Sequence, residues 1–537
     1  MRARPILIAA GLGLTALGGY WLASTAQPPA RKKSAESARP LSAFRAALND
    51  PPLARRIRER TQSFRSDDEA LAAGALPGQR ALIFTDRAAL ERFLARAGDR
   101  IRVLDRLDAL NALRIGFLDY ADLADLLDGS EEASMIYPAY LPDPNTGTVQ
   151  AGAQPIGNRL LEWLGITGDN SQWGAGIRIA VLDTGVTAHS AFSSDIWAIN
   201  LVDLPMNLQD WNGHGTAVAS LIIGNDSLTP GVVPGADLIS VRIADDSGRS
   251  DSFLIAQGIM AAVDSGAQII NISLGSAGDS ALVRNAIAYA NSNGAVIVAS
   301  AGNDGVNRVS YPAANVGVIA VGAVDASGTH LQFSNSGDVA AAAPGYEVNA
   351  AWPGEQAIRF TGTSGSSPIF AAAVAAVMSQ TGLNAEQASL RLLSTLNDGG
   401  APGYDEYLGG GTLDVGRAIA ADTRGVYDVA LASHWVIPPT ETNPYPQLQI
   451  VVQNRGTETV NNSTVSVNFG AGDRFYQINS LTPNAIQTVT VPLPAGSYTS
   501  GQSLRFDSTV RLNGQYPDIK TSNNQRLDTY VPPQPVE

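Results

Sequence analysis

The chain has no cysteine, which excludes a disulfide framework, a thiolate metal site and a cysteine nucleophile. Histidine is scarce, with only four residues, at positions 189, 214, 330 and 434. Basic side chains are in deficit, 36 Lys and Arg against 50 Asp and Glu. The deficit is local: residues 1–150 carry 20 basic and 18 acidic groups, 151–424 carry 10 and 24, and 425–537 carry 6 and 8. An acidic middle segment argues against nucleic acid as a partner. It suits a cationic substrate or calcium, though a solvated acidic surface is the simpler explanation.

What is present divides the 537 residues into several units, since one core of that size would exceed the usual domain limit. Arg2 and Arg4 precede an apolar run at 5–23 and then Ser24-Thr25-Ala26, the pattern of an export signal at 1–26, or of an uncleaved anchor. Either places the bulk of the protein beyond the cytoplasmic membrane, secreted, periplasmic or at the cell surface. Residues 27–80, rich in Pro, Ala, Arg and Ser, read as a linker with helical patches at 41–48 and 53–64. Residues 81–140 read as a small α+β unit: strand 81–84, helix 87–96, strands 101–107 and 110–118, helix 120–127 and a last strand near 135–137. Residues 141–155, with Pro142, Pro144, Asn145, Gly147 and Gly152, are an exposed linker and the expected maturation site.

From 156 to 424, strand and helix signals alternate, the mark of an α/β parallel sheet with helices on both faces. Strands are expected to end at Asp183 and to span 237–243, 267–273, 295–300 and 316–324, with helices at 217–223, 255–265, 281–291 and 368–380. Residues 425–537 change to short alternating runs between Asn, Gly and Pro turns, as in an all-β sandwich.

Three stretches carry chemistry. Gly362-Thr363-Ser364 puts a hydroxyl at the start of an Ala-rich helical run, where free N–H groups and the helix dipole favour negative charge. Gly362 and Gly365 let a substrate backbone approach, and Pro368 fits the first helical turn. A plain Ser-capped core helix would read the same way. A serine needs a base and a group that orients the base. Asp183-Thr184-Gly185 ends a short apolar strand with a carboxylate, and Gly213-His214-Gly215 sets an imidazole directly before a small-residue helix. An aspartic-protease reading of Asp183-Thr184-Gly185 fails because no second such triplet supplies the paired carboxylate.

Together with Ala301-Gly302-Asn303-Asp304-Gly305, these blocks stand in the order Asp, His, Asn, Ser and resemble the subtilisin-like serine proteases, over about residues 173–421. The resemblance implies that Asp183 orients the imidazole, His214 acts as base and then acid, Ser364 attacks the scissile carbonyl, and Asn303 donates to the oxyanion. It further implies that Gly248, Ser250, Ser273, Leu274 and Gly275 flank an extended peptide, with Ser300 and Gly302 on the opposite pocket wall. No cofactor is required for that chemistry, and structural calcium is compatible with the loop Asn225-Asp226-Ser227, although a polar turn explains it equally well.

By position, the 81–140 unit resembles the inhibitory propeptide of the family, with an independent ferredoxin-like binding module as the alternative. The 425–537 segment resembles immunoglobulin-like adhesion modules, for which a surface or matrix ligand is the expectation. The implied whole is an autoprocessed zymogen of an exported endopeptidase. An inactive, subtilisin-shaped binding protein is the competing reading. His189 is expected to be structural, and His330 and His434 exposed. Departures from the family pattern are Gly365, Ser366 and Ser367 after the serine, and Ala217 after Thr216.

Overall fold

A computed structural model describes residues 67–531 apart from 73, 142–148, 194–195, 203–211, 441–444, 495–502 and 515. The export segment, the helical patches at 41–48 and 53–64, and most of the Pro- and Gly-rich part of the 141–155 linker lie outside the described residues.

Residues 79–134 form a four-stranded antiparallel sheet, ordered β2-β3-β1-β4, from β1 (Gln79–Phe84), β2 (Arg102–Leu107), β3 (Ala112–Gly116) and β4 (Glu131–Ser134). Helices α1 (Arg87–Ala97) and α2 (Tyr120–Ala124) close a core of Leu82, Leu90, Phe93, Leu113, Ile115 and Leu123. The element order β-α-β-β-α-β agrees with the sequence reading, but the last strand does not fall near 135–137. Glu131–Ser134 pairs with β1 instead, because residues 135–137 turn out of the sheet, with Tyr137 hydrogen-bonding to Ser252. The chain then forms β5 (Pro138–Tyr140), a strand only by virtue of its partner β9 (Arg249–Asp251).

The central domain is built on seven strands ordered β13-β12-β11-β10-β6-β8-β7, all parallel. They are β6 (Arg178–Asp183), β7 (Ile196–Asn200), β8 (Asp237–Arg242), β10 (Ile269–Ile272), β11 (Val296–Ser300), β12 (Val318–Val324) and β13 (Ala341–Pro344). Continuous apolar runs such as Ile179–Leu182 are what a strand buried on both faces requires. One face is covered by α3 (His214–Ile223) and α6 (Thr363–Thr381), the other by α4 (Ser252–Asp264) and α5 (Ala281–Ser292). Strand carboxyl ends therefore share one edge, where open α/β folds keep their sites. Strand β7 and strand β13 were not expected. A hairpin of β14 (Val348–Trp352) and β15 (Gln356–Phe360) leads into α6. Helix α6 is the buried spine of the domain, fully enclosed from Thr363 to Met378. Among the described residues, no single helix is long and apolar enough to cross a membrane.

Two antiparallel sheets follow, β16-β17-β20 and β19-β18-β21-β22, packed around Leu448, Ile450, Val465, Val467, Phe506 and Val510. The first comprises β16 (Val429–Ile437), β17 (Gln447–Asn454) and β20 (Ile486–Pro492). The second comprises β18 (Val460–Asn468), β19 (Asp473–Leu481), β21 (Leu504–Leu512) and β22 (Gln525–Tyr530). This sandwich is keyed to the central domain by Arg417. Its guanidinium donates to Thr395 O, Leu396 O and Asn397 Oδ1 on one side, and to Asn454 O, Arg455 O and Asn484 Oδ1 on the other, at 2.6–3.4 Å.

Candidate active site

Asp183 ends β6 and His214 opens α3, and two glycines let them meet. A methyl group on Gly215 would collide with the Gly185 carbonyl oxygen, so the backbones of the Asp183-Thr184-Gly185 and His214-Gly215-Thr216 turns touch directly. Gly213 adopts φ 88° before the helix, where any side chain would run into the Trp352 indole. The imidazole Nδ1 lies 2.8 and 2.9 Å from the two Asp183 oxygens. A carboxylate only accepts, so Nδ1 carries a hydrogen, and in the neutral imidazole Nε2 is then the acceptor. Asp183 Oδ1 also accepts from the Thr184 N–H and hydroxyl, and the Gly215 N–H donates to Thr184 Oγ1. Both side chains are about 1% exposed, and Phe360 meets the imidazole edge-to-face at 5.3 Å.

Ser364 is the second residue of α6. The helix cap is Gly362, φ 142°, so the plain Ser-cap reading does not hold. Asn303, in the loop after β11, takes the capping role from outside: its Oδ1 accepts from the Thr363 N–H at 3.0 Å and the Thr363 hydroxyl at 2.8 Å. With Oδ1 so engaged, the amide nitrogen is turned toward Gly362. A methyl group there would stand 2.9 Å from Asn303 Nδ2 and 3.7 Å from the Ser364 nitrogen, so the two nitrogens lie close to one point.

Pro368 is not in the first turn as expected, but one turn further along, since α6 begins at Thr363. Having no N–H, it leaves the Ser364 carbonyl without its helical donor. The Ser273 hydroxyl supplies one at 3.2 Å. In return the Ser364 hydroxyl donates to the Ser273 carbonyl at 3.1 Å. The structure thus joins Asp183 to His214 and aligns Ser364 with Asn303. It leaves the hydrogen bond between Ser364 and His214 unmade, and His214 Nε2 is buried without a partner.

Of the residues expected to flank a peptide, Gly248, Ser250 and Gly275 border the chain's own β5. Tyr140 exchanges two backbone hydrogen bonds with Gly275, at 3.0 and 3.1 Å, and the Leu141 N–H donates to Gly248 O at 2.9 Å. On the side away from Gly275, continuing from Gly248, Ala139 pairs with Ser250 and Pro138 with Asp251.

Comparison with known proteins then decides the family. Residues 174–411 match Peptidase S8, the subtilase family. The thermostable alkaline protease of Halalkalibacterium halodurans is 35% identical over 287 residues, covering 51% of this chain and 78% of that one. Subtilisin BL of Lederbergia lenta is 38% identical over 207 residues, 38% of this chain and 77% of the relative. This chain belongs to the subtilase family. It is a serine endopeptidase with the subtilisin-like α/β fold, its substrates are polypeptides, and the family's chemistry needs no cofactor. The epidermin leader peptide processing serine protease of Staphylococcus aureus, 19% identical, shares the fold with a TM-score of 0.56 over 64% of this chain and 99% of that one.

The remaining expected residues of this subtilase have clear local roles. Leu274 is fully buried, and Ser300 ends β11 with little exposure. Gly302, φ 110°, donates to Thr363 Oγ1, and Ser250 Oγ donates to Ile243 O. Gly365 has a physical reason: a β-carbon there would stand 3.2 Å from the Phe360 ring that also contacts His214. Ser366 donates to the Ala343 and Pro344 carbonyls, while Ser367 meets the Ser273 hydroxyl at 3.2 Å. Asp226 spends its oxygens on Leu228 N and on the Thr229 N–H and hydroxyl, the polar-turn arrangement.

His189 is structural: its Nε2 meets Gln356 O at 3.0 Å, and its Nδ1 accepts from the Ala191 N–H. His330 and His434 are not exposed, contrary to expectation. Burial pulls His330 down to about 4, and Tyr407 packs edge-on at 5.1 Å. His434 sits 2.7 Å from Asp528 and 3.0 Å from Ser508. These contacts come from residues 74 to 94 positions away, beyond any local pattern. The sequence reading also missed Thr363 as the group that aims Asn303, although it stands inside the Gly362-Thr363-Ser364 block.

Proposed function

We propose that Ser364, His214, Asp183 and Asn303 hydrolyse peptide bonds through an acyl-enzyme. The Ser364 hydroxyl turns from the Ser273 carbonyl to His214 Nε2, which takes its proton as the oxygen attacks the scissile carbonyl. Negative charge on the carbonyl oxygen is met by the Ser364 N–H and Asn303 Nδ2. The imidazolium, held by Asp183, gives its proton to the leaving amine, and water repeats the sequence to release the acid. The observation that carries the reading is the Asp183–His214 contact with Nε2 buried and unpartnered, together with a serine that opens a helix and is linked to the imidazole through Gly365 and Phe360.

The second part of the proposal is that the enzyme is made as an exported zymogen. The N-terminal α+β unit serves as its own inhibitor, and the segment at 1–26 directs export or anchors the protein. The seating of β5 between Gly248 and Gly275 supports it, because an extended strand there excludes a substrate strand. A test uses the full chain and its Ser364→Ala variant. The wild type should cut itself within residues 141–155 and label on Ser364 with a fluorophosphonate. The variant should stay whole and unlabelled. A folded, unlabelled wild type would favour the inactive binding protein.

A further inference from the structure

Resting on the reading that β5 lies where substrate lies, we propose that Asp251 and Phe253 form a socket for a basic side chain of the substrate, occupied in the precursor by Arg114 of the N-terminal unit. Arg114, on β3, sends its Nη2 to Asp251 Oδ2 at 2.8 Å, with only 17% and 9% of the two side chains exposed. Its guanidinium carbon lies 5.8 Å from the centre of the Phe253 ring, and its Nε donates to Gln79. A carboxylate on one side and an aromatic face on the other are the two groups that hold a guanidinium or ammonium best.

The two oxygens of Asp251 divide their work. Oδ1 caps α4 through the Phe253 and Leu254 N–H groups at 2.9 and 3.0 Å, which fixes the side chain whatever becomes of Arg114. Oδ2 serves the guanidinium. When the N-terminal unit leaves, the socket remains on the catalytic domain with one carboxylate oxygen unmatched.

The register says which substrate residue would reach it. Pro138 is paired directly with Asp251, and side chains of directly paired antiparallel residues share a face about 5 Å apart. Tyr140 faces Gly275, and the Ser364 hydroxyl rests on the carbonyl of Ser273, two residues before Gly275. A substrate residue facing Ser273 would therefore end the acyl portion, and the one opposite Asp251 is the fifth before the cut. Pro138 leaves this position without a charged group, and Arg114 reaches in from the neighbouring sheet.

The test uses autoprocessed enzyme and fluorogenic peptides that carry Arg, Gln or Glu at the fifth position before the cleaved bond and are otherwise identical. The expected order in kcat/KM is Arg, then Gln, then Glu, with Arg over Gln by about 5- to 10-fold, carried by KM and shrinking as salt is raised. In Asp251→Asn, which keeps the helix cap, the Arg-to-Gln ratio should fall to about one. Equal rates for the three peptides, or a ratio that survives both Asp251→Asn and high salt, would overturn the socket. Cleavage of none of them would instead count against the protease reading itself. Should Asp251→Asn not fold, the salt series on wild type decides alone.

Discussion

In the β-sandwich, His434 donates from Nδ1 to Asp528 and accepts from Ser508 at Nε2, at 2.7 and 3.0 Å. In the catalytic domain, His214 makes the first of these bonds, to Asp183, and lacks the second. By hydrogen bonds alone the sandwich holds the more complete serine–histidine–aspartate arrangement. It has no chemistry to offer. Ser508 is as buried as Ser364, but it lies mid-strand in β21, and its backbone is paired with β18 on one side and β22 on the other. Ser364 instead opens a helix, beside the amide of Asn303 and next to a gap that accepts an extended strand. Reactivity follows from uncommitted donors beside the hydroxyl, and a satisfied triad between paired strands is a cross-link between sheets.

The comparison can be broken most sharply at the two serines. Ser364→Ala should lower kcat by about 10⁴-fold or more, as removal of a triad member does. Ser508→Ala should leave kcat within about 2-fold. Comparable losses in both would mean that the sandwich takes part in catalysis. Asn303→Ala should cost about 100- to 1,000-fold in kcat, a range borrowed from subtilisin, with KM little changed.

A smaller effect separates the histidines by stability. His434→Gln should lower unfolding free energy by about 1–3 kcal/mol, seen in chemical denaturation, without altering kcat. Acid should act on the buried imidazoles outside the active site. Burial holds His434 below the ordinary histidine range, against the pull of Asp528, and holds His330 at about 4. Both are held below the ordinary histidine range when folded and take up protons on unfolding below about pH 6.5, so their contribution is present above that pH and is lost as pH falls, for His330 toward about 4. His330→Gln should therefore narrow the gap in melting temperature between pH 7 and pH 4.5. Asp398 runs the other way. Burial pushes its carboxyl up to about 7, so the folded state favours the proton and stability falls as pH rises through that value. Asp398→Asn should raise the melting temperature at pH 8 more than at pH 5.

Much of this architecture could be read from local pattern. Strand β6 and helix α6 announce themselves by runs of one character, and four short blocks in one order carried the residues proposed for the active site. Other elements exist only through tertiary partners. Strand β13 is Ala-Ala-Ala-Pro, residues of weak strand preference held by pairing with β12. Strand β7 is a sheet edge with Trp197 exposed, so it lacks the buried alternation that marks a strand. Pro138-Ala139-Tyr140 has no strand signature and is straightened by the cleft it occupies. Pro368 was legible as a helix residue, but not its consequence, a carbonyl freed for Ser273.

Arg417 bears on how this enzyme could be rebuilt. Half of the acceptors around its guanidinium belong to the last domain, at Asn454, Arg455 and Asn484. Cutting the chain after residue 424 would strand a cation inside a freshly exposed wall, and any foreign module fused in that place would have to present oxygens at the same three points.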